Sequence, residues 1–427
     1  MTKANMKVTI SKKDLDLVVS RACLAAMTEE GQSEISRANN ETRGCVRIKA
    51  EGNKISFDSS VSRFSARYEV PVVEGTDSAI LVEGETCIPA KELKTVAAKI
   101  PDGYKVSMTF IPKPPEQDKD APAAYRALLP DGIVEVAGID GKKVIAKAKI
   151  EAYPSSQFAD VTYVEADKLA LLASGKASCF KAPYNAVSFA INPDDLKEIF
   201  DKLAVFTTED SIIFVGADGH RCSIVQSKTD SFDKIVGKEL LVPVLIDSEF
   251  LSPLLSSLSD KDPLVVGMDL TDHVYFCSEG TSYRISMVTE ELRKKFPNYK
   301  KIMSLPTSAV VTVDRKHLAF STNMLMVVNK DRGVHSFNNA EMVIKMVGKG
   351  FATVKEATGE IAYELTSQDP IKKDICLHTG YLIEGIKKMS CDKIKMSFTP
   401  DEKRVRIEDE SDPKFLYYMQ VMNSNEA

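Results

Sequence analysis

The sequence predicts an α+β chain of three similar domains, each holding two strand–cap–helix half-units. Three observations predict it. The length of 427 residues exceeds what one core ordinarily fills and fits about three domains at roughly 150 residues each. A strand, a capping residue and an amphipathic helix recur along the chain in six copies. Between the copies lie alternating apolar and polar segments broken by Gly, Asp or Asn turns, which read as antiparallel hairpins.

In the first copy, KVTISKKDLDLVVSRACLAA, strand 7–11 runs into Ser11 as N-cap, and Leu15, Val18, Ala22 and Ala26 share one helical face. The second, CIPAKELKTVAAKIPDGYKVSMTF, stripes Leu93, Val96, Ala97 and Ile100, with Pro101 as the stop. The third, VSFAINPDDLKEIFDKLAVF, predicts a helix over 193–204, capped by Asn192, opened by Pro193, and striped by Leu196, Ile199, Phe200 and Leu203. The fourth, LLVPVLIDSEFLSPLLSSLSDKDPLVVGM, fits if its helix begins at Pro253 with Ser252 as cap. VVTVDRKHLAFSTNMLMVV is the fifth, and LHTGYLIEGIKKMSCDKIKMSF the sixth, with Leu382, Ile386 and Met389 on one side.

Hairpins and meanders are expected over 45–71, 211–228, 272–288 and 392–410. Pairing the copies two by two divides the chain into domains 1–155, 156–304 and 305–427, with a proline-rich insertion at 112–131 in the first. Independent α+β domains with similar elements would give the same pattern.

Hydrophobic residues make up 44% of the chain, enough to fill three cores, and the formal charge of −5 argues against coating nucleic acid by global charge while leaving room for a local basic surface. No unbroken run of about 18 apolar residues appears, so no membrane partner is expected and a cytoplasmic location is. The eight cysteines form no CxxC pair and sit in apolar runs, which favours buried reduced thiols.

FVGADGHRCSIV, residues 214–225, gathers an acid, a histidine, an arginine and a cysteine between two β-branched runs. His220 and Cys222 could share a strand face, but two ligands do not make a metal site, and the remaining histidines are isolated. Asp218–Gly219 reads as a hairpin turn. The chain has no Walker A loop, no GxGxxG after a strand, no HExxH and no GxSxG, so neither an enzyme nor a cofactor is expected.

Beyond their first turns the helices carry Arg21, Lys94, Lys99, Lys197, Lys202, Lys387 and Lys388, while acids cluster at the N-terminal ends. The helix dipole and a phosphate-facing surface explain that asymmetry equally well. Lysines supply point charge without base readout, so any DNA contact would be sequence-independent.

The residues MKVTISKKDL, IPAKELKTVAAKIPDG, ADGHR, FPNYKKIM, YLIEGIKKM, SFTPDEKRVRIEDE and LYYMQVM, in this order, resemble the bacterial sliding clamps, the β subunits of DNA polymerase III. The resemblance implies the DNA clamp fold and a ring-forming head-to-tail homodimer whose inner helices face encircled duplex DNA. It implies a processivity factor that tethers the replicative polymerase and is opened by an ATP-using clamp loader, both partners docking in a cleft between the second and third domains. The cleft residues are then Ala217, Gly219, His220, Arg221, Cys222, Ser304, Val405, Tyr418, Met419, Gln420, Val421 and Met422. Ala217, Cys222, Ser304 and the stretch 420–424 depart from the family's usual residues, which implies altered affinity for partners. A repeat-built interaction scaffold that does not encircle DNA is the alternative.

For the dimer contact, helix 313–328 carries a second row beside its core face, His317, Phe320, Met324 and Val327, with the neighbouring Met326. Its expected partner is Val144 and Ile145 on edge strand 143–150 of the other subunit.

Overall fold

The computed structural model describes residues 5–33, 41–113, 129–194, 196, 198–237, 239–240, 242–338, 341–347, 354–367 and 370–422. Most of the 112–131 insertion and Lys197 lie outside the described residues. The chain divides into two compact units, one of residues 1–177 with 250–287 and one of residues 178–249 with 288–427.

In the first unit, one antiparallel sheet has the strand order Ala79–Val82, Met6–Ser11, Lys105–Pro112, Gly132–Asp140, Lys143–Ala152. Met6, Val8 and Ile10 alternate inward and are fully buried. Ser11 then ends the strand and caps the helix, its Oγ accepting the Asp14 N–H at 3.0 Å. The helix starts as α over Lys12–Leu17 and widens into a π turn over Val18–Ala22. Leu15, Val18, Ala22 and Ala26 are fully buried, as their spacing predicts. Helix Ala90–Ala97 adds Leu93 and Ala97 to the same core.

A second sheet of this unit runs Ala170–Lys176, Pro263–Met268, His273–Ser278, Thr281–Ser286, Phe64–Pro71, Lys54–Ser60, Cys45–Glu51, Gly84–Pro89. The join is Thr281–Ser286 against Phe64–Pro71, with Thr281 opposite Tyr68. Segment 155–164 is strapped onto this sheet by buried charge. Asp58 receives Arg67 Nε at 2.5 Å and Arg47 at 3.4 Å, Arg47 also reaches Asp160 at 2.6 Å, and the two guanidiniums lie over the Phe158 and Tyr163 rings.

The second unit is organised on a twelve-stranded antiparallel sheet. Its order is Val244–Asp247, Lys202–Thr207, Ser211–Ala217, Arg221–Lys228, Asp412–Gln420, Arg404–Asp409, Lys393–Phe398, Ala309–Asp314, Glu356–Leu365, Glu341–Val347, Gly333–Asn338, Ile375–Leu377. Helix Arg315–Leu325 is capped by Asp314, and helix Thr379–Ile386 by His378, whose Nδ1 accepts the Tyr381 N–H. Helix Thr379–Ile386 fits closely on Tyr417. Gly385 lies so near the ring that a Cβ there would overlap it, and the Tyr417 hydroxyl donates to the Tyr381 carbonyl at 2.9 Å.

Two expectations need correction. No helix spans 193–204: Asn192 closes a turn on the Asp194 N–H, Glu198 takes a positive φ of 56°, and Lys202–Thr207 is a wholly buried strand between two neighbours. Burial of KLAVFT in the sheet outweighs the local helix propensity. The helix of this repeat is instead Ser178–Val187, buried through Phe180, Pro183, Tyr184 and Val187, and Pro183 disguised it. The fourth helix also starts earlier than expected, at Ser248, with Pro253 inside it.

Candidate functional site

ADGHR forms a tight turn whose parts hold one another. Gly219 takes φ 90°, a conformation open to glycine, and Asp218 Oδ1 accepts the N–H groups of both His220 and Arg221 at 2.9 Å. Asp218 Oδ2 receives Arg221 Nε at 2.8 Å, and an Arg221 terminal nitrogen reaches Glu384. The guanidinium lies 4.0 Å from the Tyr381 ring centroid, and the His378 imidazole stacks on the same ring at 3.8 Å. Burial works against the Arg221 charge, but the bond to Glu384 and the charges around it outweigh that cost and hold its pKa above the ordinary arginine value.

The turn is tied to the last strand. Arg221 pairs with Met419 in the ladder, the Gln420 N–H donates to the His220 carbonyl at 2.9 Å, and Gln420 Nε2 donates to the Gly219 carbonyl at 2.9 Å. Over this junction opens a pocket of about 200 Å³, lined by Ala217, Gly219, His220, Arg221, Cys222, Tyr418, Met419 and Gln420 together with Pro297, Ile302, Leu305 and Arg404. A larger, more polar recess of about 580 Å³ continues past Gly219, His220 and Arg221 toward Phe200 and Tyr381.

Four expected cleft residues do not line this pocket. Val405 is fully buried, because strand alternation turns it into the core and sends Arg404 to the pocket. Ser304 is exposed beside the pocket, its Oγ donating to the Lys301 carbonyl. Val421 donates its N–H to Lys403 and Met422 to Cys376, so the chain has turned away at that point. Pro297, Ile302, Leu305 and Arg404 also line the pocket and were not expected there.

Cys222 is buried, and burial with the nearby Asp218 charge pushes its thiol up to about 12, so it is no nucleophile near neutral pH. Among the described residues, no group of three or more His, Cys, Asp and Glu side chains is placed to hold a metal ion.

Two further surfaces stand out, one in each unit. On helix Arg315–Leu325, Leu318 and Thr322 face the core, whereas Phe320, Met324 and, just beyond, Val327 are 68%, 65% and 73% exposed. Met326 is half-buried. In the first unit, Val144 and Ile145 are exposed on Lys143–Ala152, the last strand of its sheet. Beside that strand lies an apolar groove of about 410 Å³, floored by Val96, Ile100, Pro101, Tyr104 and Val136. Single exposed apolar residues are common, whereas Phe320, Met324 and Val327 form a row of large ones on one helix face and just past its end.

No family model matches the sequence. The chain is 20% identical over 397 residues to the β sliding clamp of Synechocystis sp., an alignment covering 88% of this chain and 91% of that protein. The crystal structure of the DNA polymerase sliding clamp from Bacillus subtilis superposes with TM-score 0.77 at 14% identity, covering 99% of this chain and all of that one. The DNA polymerase III β subunit of Pseudomonas aeruginosa gives TM-score 0.77 at 14% identity, with 98% and 100% coverage. The fold is that of the bacterial sliding clamps.

Against the clamp fold, the basic residues expected to face DNA separate into groups. Lys94 and Lys99 are exposed on and after helix Ala90–Ala97, as are Lys387 and Lys388 at the end of helix Thr379–Ile386. Arg21 is buried and committed, donating to Asp262 at 2.6 Å and to the Thr281 hydroxyl at 3.1 Å. Lys202 must be withdrawn: it is 1% exposed on a central strand, 2.7 Å from Asp201 and 3.6 Å from Asp247, and cannot meet a phosphate. Lys181 lies half-buried on helix Ser178–Val187, the helix of this repeat that was not expected.

Proposed function

We propose that this chain is a DNA sliding clamp, a non-catalytic processivity factor of the cytoplasm that closes as a head-to-tail homodimer around duplex DNA. The observation that carries the reading is whole-length agreement with the clamp fold, with 99% of this chain and all of the Bacillus subtilis clamp covered. A partial match would leave a domain free for another task; this one leaves none. Each subunit contributes three domains, 1–155, 156–304 and 305–427, and six half-units leave two open ends that a second copy satisfies.

The dimer contact sets the exposed row Phe320, Met324 and Val327 of one copy against edge strand Lys143–Ala152 of the other, over the groove floored by Val96 and Ile100. Lys94, Lys99, Lys181, Lys387 and Lys388 supply diffuse positive charge toward phosphates, which holds DNA without reading it. The pocket at ADGHR receives short, partly apolar peptides of the replicative polymerase and of the ATP-using loader that opens the ring. The two-pocket groove gives an extended chain room on both sides of Arg221.

The test is primer extension on a long primed circular template by the source cell's replicative polymerase and loader. Added protein lengthens the product per binding event severalfold. Product lengths that do not change with this chain would refute the assignment.

A further inference from the structure

The polar end of the ADGHR pocket bears on the choice among partners, an inference that rests on reading that pocket as a peptide groove. Two arginines line it, Arg221 and Arg404. Arg221 is committed on every side, to Asp218, to Glu384 and to the Tyr381 ring. An incoming acid would have to displace a carboxylate already in place.

Arg404 differs. Its main chain is fixed, the N–H donating to Thr399 Oγ1 at 3.2 Å and the carbonyl accepting the Thr399 N–H at 3.1 Å, while its side chain is exposed and makes no ion pair among the described residues. Asp401 is close enough to feel the charge, but one of its oxygens already accepts the Thr399 hydroxyl at 2.6 Å and the Lys403 N–H at 3.2 Å.

Arg404 is directly opposite Gln420 in the strand ladder, so the two side chains stand together on one face. Gln420 is held by its donated bond to the Gly219 carbonyl, which leaves its own amide oxygen as an acceptor at the same end. The adjoining wall is apolar, from Ala217, Cys222, Ile302, Leu305 and Met419. A cation and a fixed acceptor thus border an apolar hole.

We infer that Arg404 is the specificity-determining cation of this groove, and that its preferred partner is an extended peptide with an acidic side chain next to the apolar residue that fills the pocket. The carboxylate meets Arg404, the peptide's main-chain N–H meets the Gln420 oxygen, and the apolar side chain enters between Ile302 and Met419. Charge complementarity here sets choice and encounter rate more than total affinity.

Two hexapeptides blocked at both ends test this, Ala-Asp-Leu-Phe-Asp-Ala and Ala-Asn-Leu-Phe-Asn-Ala, titrated by calorimetry into the full-length protein and its Arg404→Gln and Arg404→Lys variants at low and high salt. The native protein is expected to prefer the acidic peptide about fivefold to tenfold at low salt, the gain of one exposed charge-assisted bond. Arg404→Gln removes that preference, so that the two peptides bind it within twofold of each other, and Arg404→Lys keeps part of it. A preference within twofold in the native protein, or one that survives Arg404→Gln, overturns the role of Arg404 while the groove stands. Failure of both peptides to bind the native protein at millimolar concentration overturns the groove reading and this inference together.

Discussion

At the scale of single residues, burial decides which charges work outward and which hold the molecule together. Lys202 is enclosed beside the buried Asp247 and the half-buried Asp201, so removing its ammonium takes the paired cation from both carboxylates. Lys202→Ala is expected to destabilise the protein by about 3 kcal/mol in urea denaturation, and a loss under 1 kcal/mol would show that the carboxylates relax into solvent.

His335 gives a pH dependence of known sign. It is fully enclosed, with Nδ1 3.0 Å from the Gly333 carbonyl and near that of Ile375, and Nε2 without a partner. Burial lowers its pKa to about 4, the two carbonyls only partly opposing the shift. The unfolded imidazole, near 6.5, takes up its proton first as pH falls. The stability it contributes is therefore whole above about pH 6.5 and is lost as pH falls toward 4, on the order of 3 kcal/mol at most. His273 and His378 are depressed by burial as well and add in the same direction. His335→Asn keeps a donor toward Gly333 and removes the titration. Its unfolding free energy is expected to fall less between pH 7 and pH 4.5 than that of the native protein, and an identical fall would contradict the assignment.

At the scale of elements, the exposed row on helix Arg315–Leu325 and the edge strand Lys143–Ala152 are the pieces most in need of a partner. Phe320→Asp combined with Met324→Asp places two charges in the proposed contact while leaving Leu318 and Thr322 seated in the core. Dimer affinity by sedimentation is expected to drop on the order of a hundredfold or more, with melting little changed. An unmoved dissociation constant would place the contact elsewhere.

Elements were also where the sequence was most and least legible. The Ser11 cap, the Leu15–Val18–Ala22–Ala26 face and the Asp218–Gly219 turn follow from local pattern, and the structure contains each of them. INPDDLKEIFDKL carries every local signal of a helix, yet Glu198 takes a positive φ and the last two residues enter a buried strand, a choice made by its pairing with Ser211–Ala217 and Val244–Asp247. Pro183 concealed the true helix in the same way. Of the pocket lining, the turn residues and Tyr418–Gln420 could be named from the resemblance. Arg404 could not, because which of two alternating residues faces a pocket depends on the face the strand turns to its core.

At the scale of the whole molecule, the proposed encirclement would make retention on DNA a matter of topology. Lys94, Lys99, Lys387 and Lys388 are exposed, and scattered lysines would give only weak, salt-sensitive attraction to phosphates, which cannot by itself hold a protein on DNA for long. A closed ring can. The most direct test places the protein on nicked circular DNA, with ATP and an extract of the source cells to supply the opening activity, then isolates the complex at moderate salt and cuts half of it once with a restriction enzyme. Encirclement predicts that protein stays with the intact circles and slides off the linear molecules within minutes; protein that remains equally on both, or leaves both equally, would contradict it.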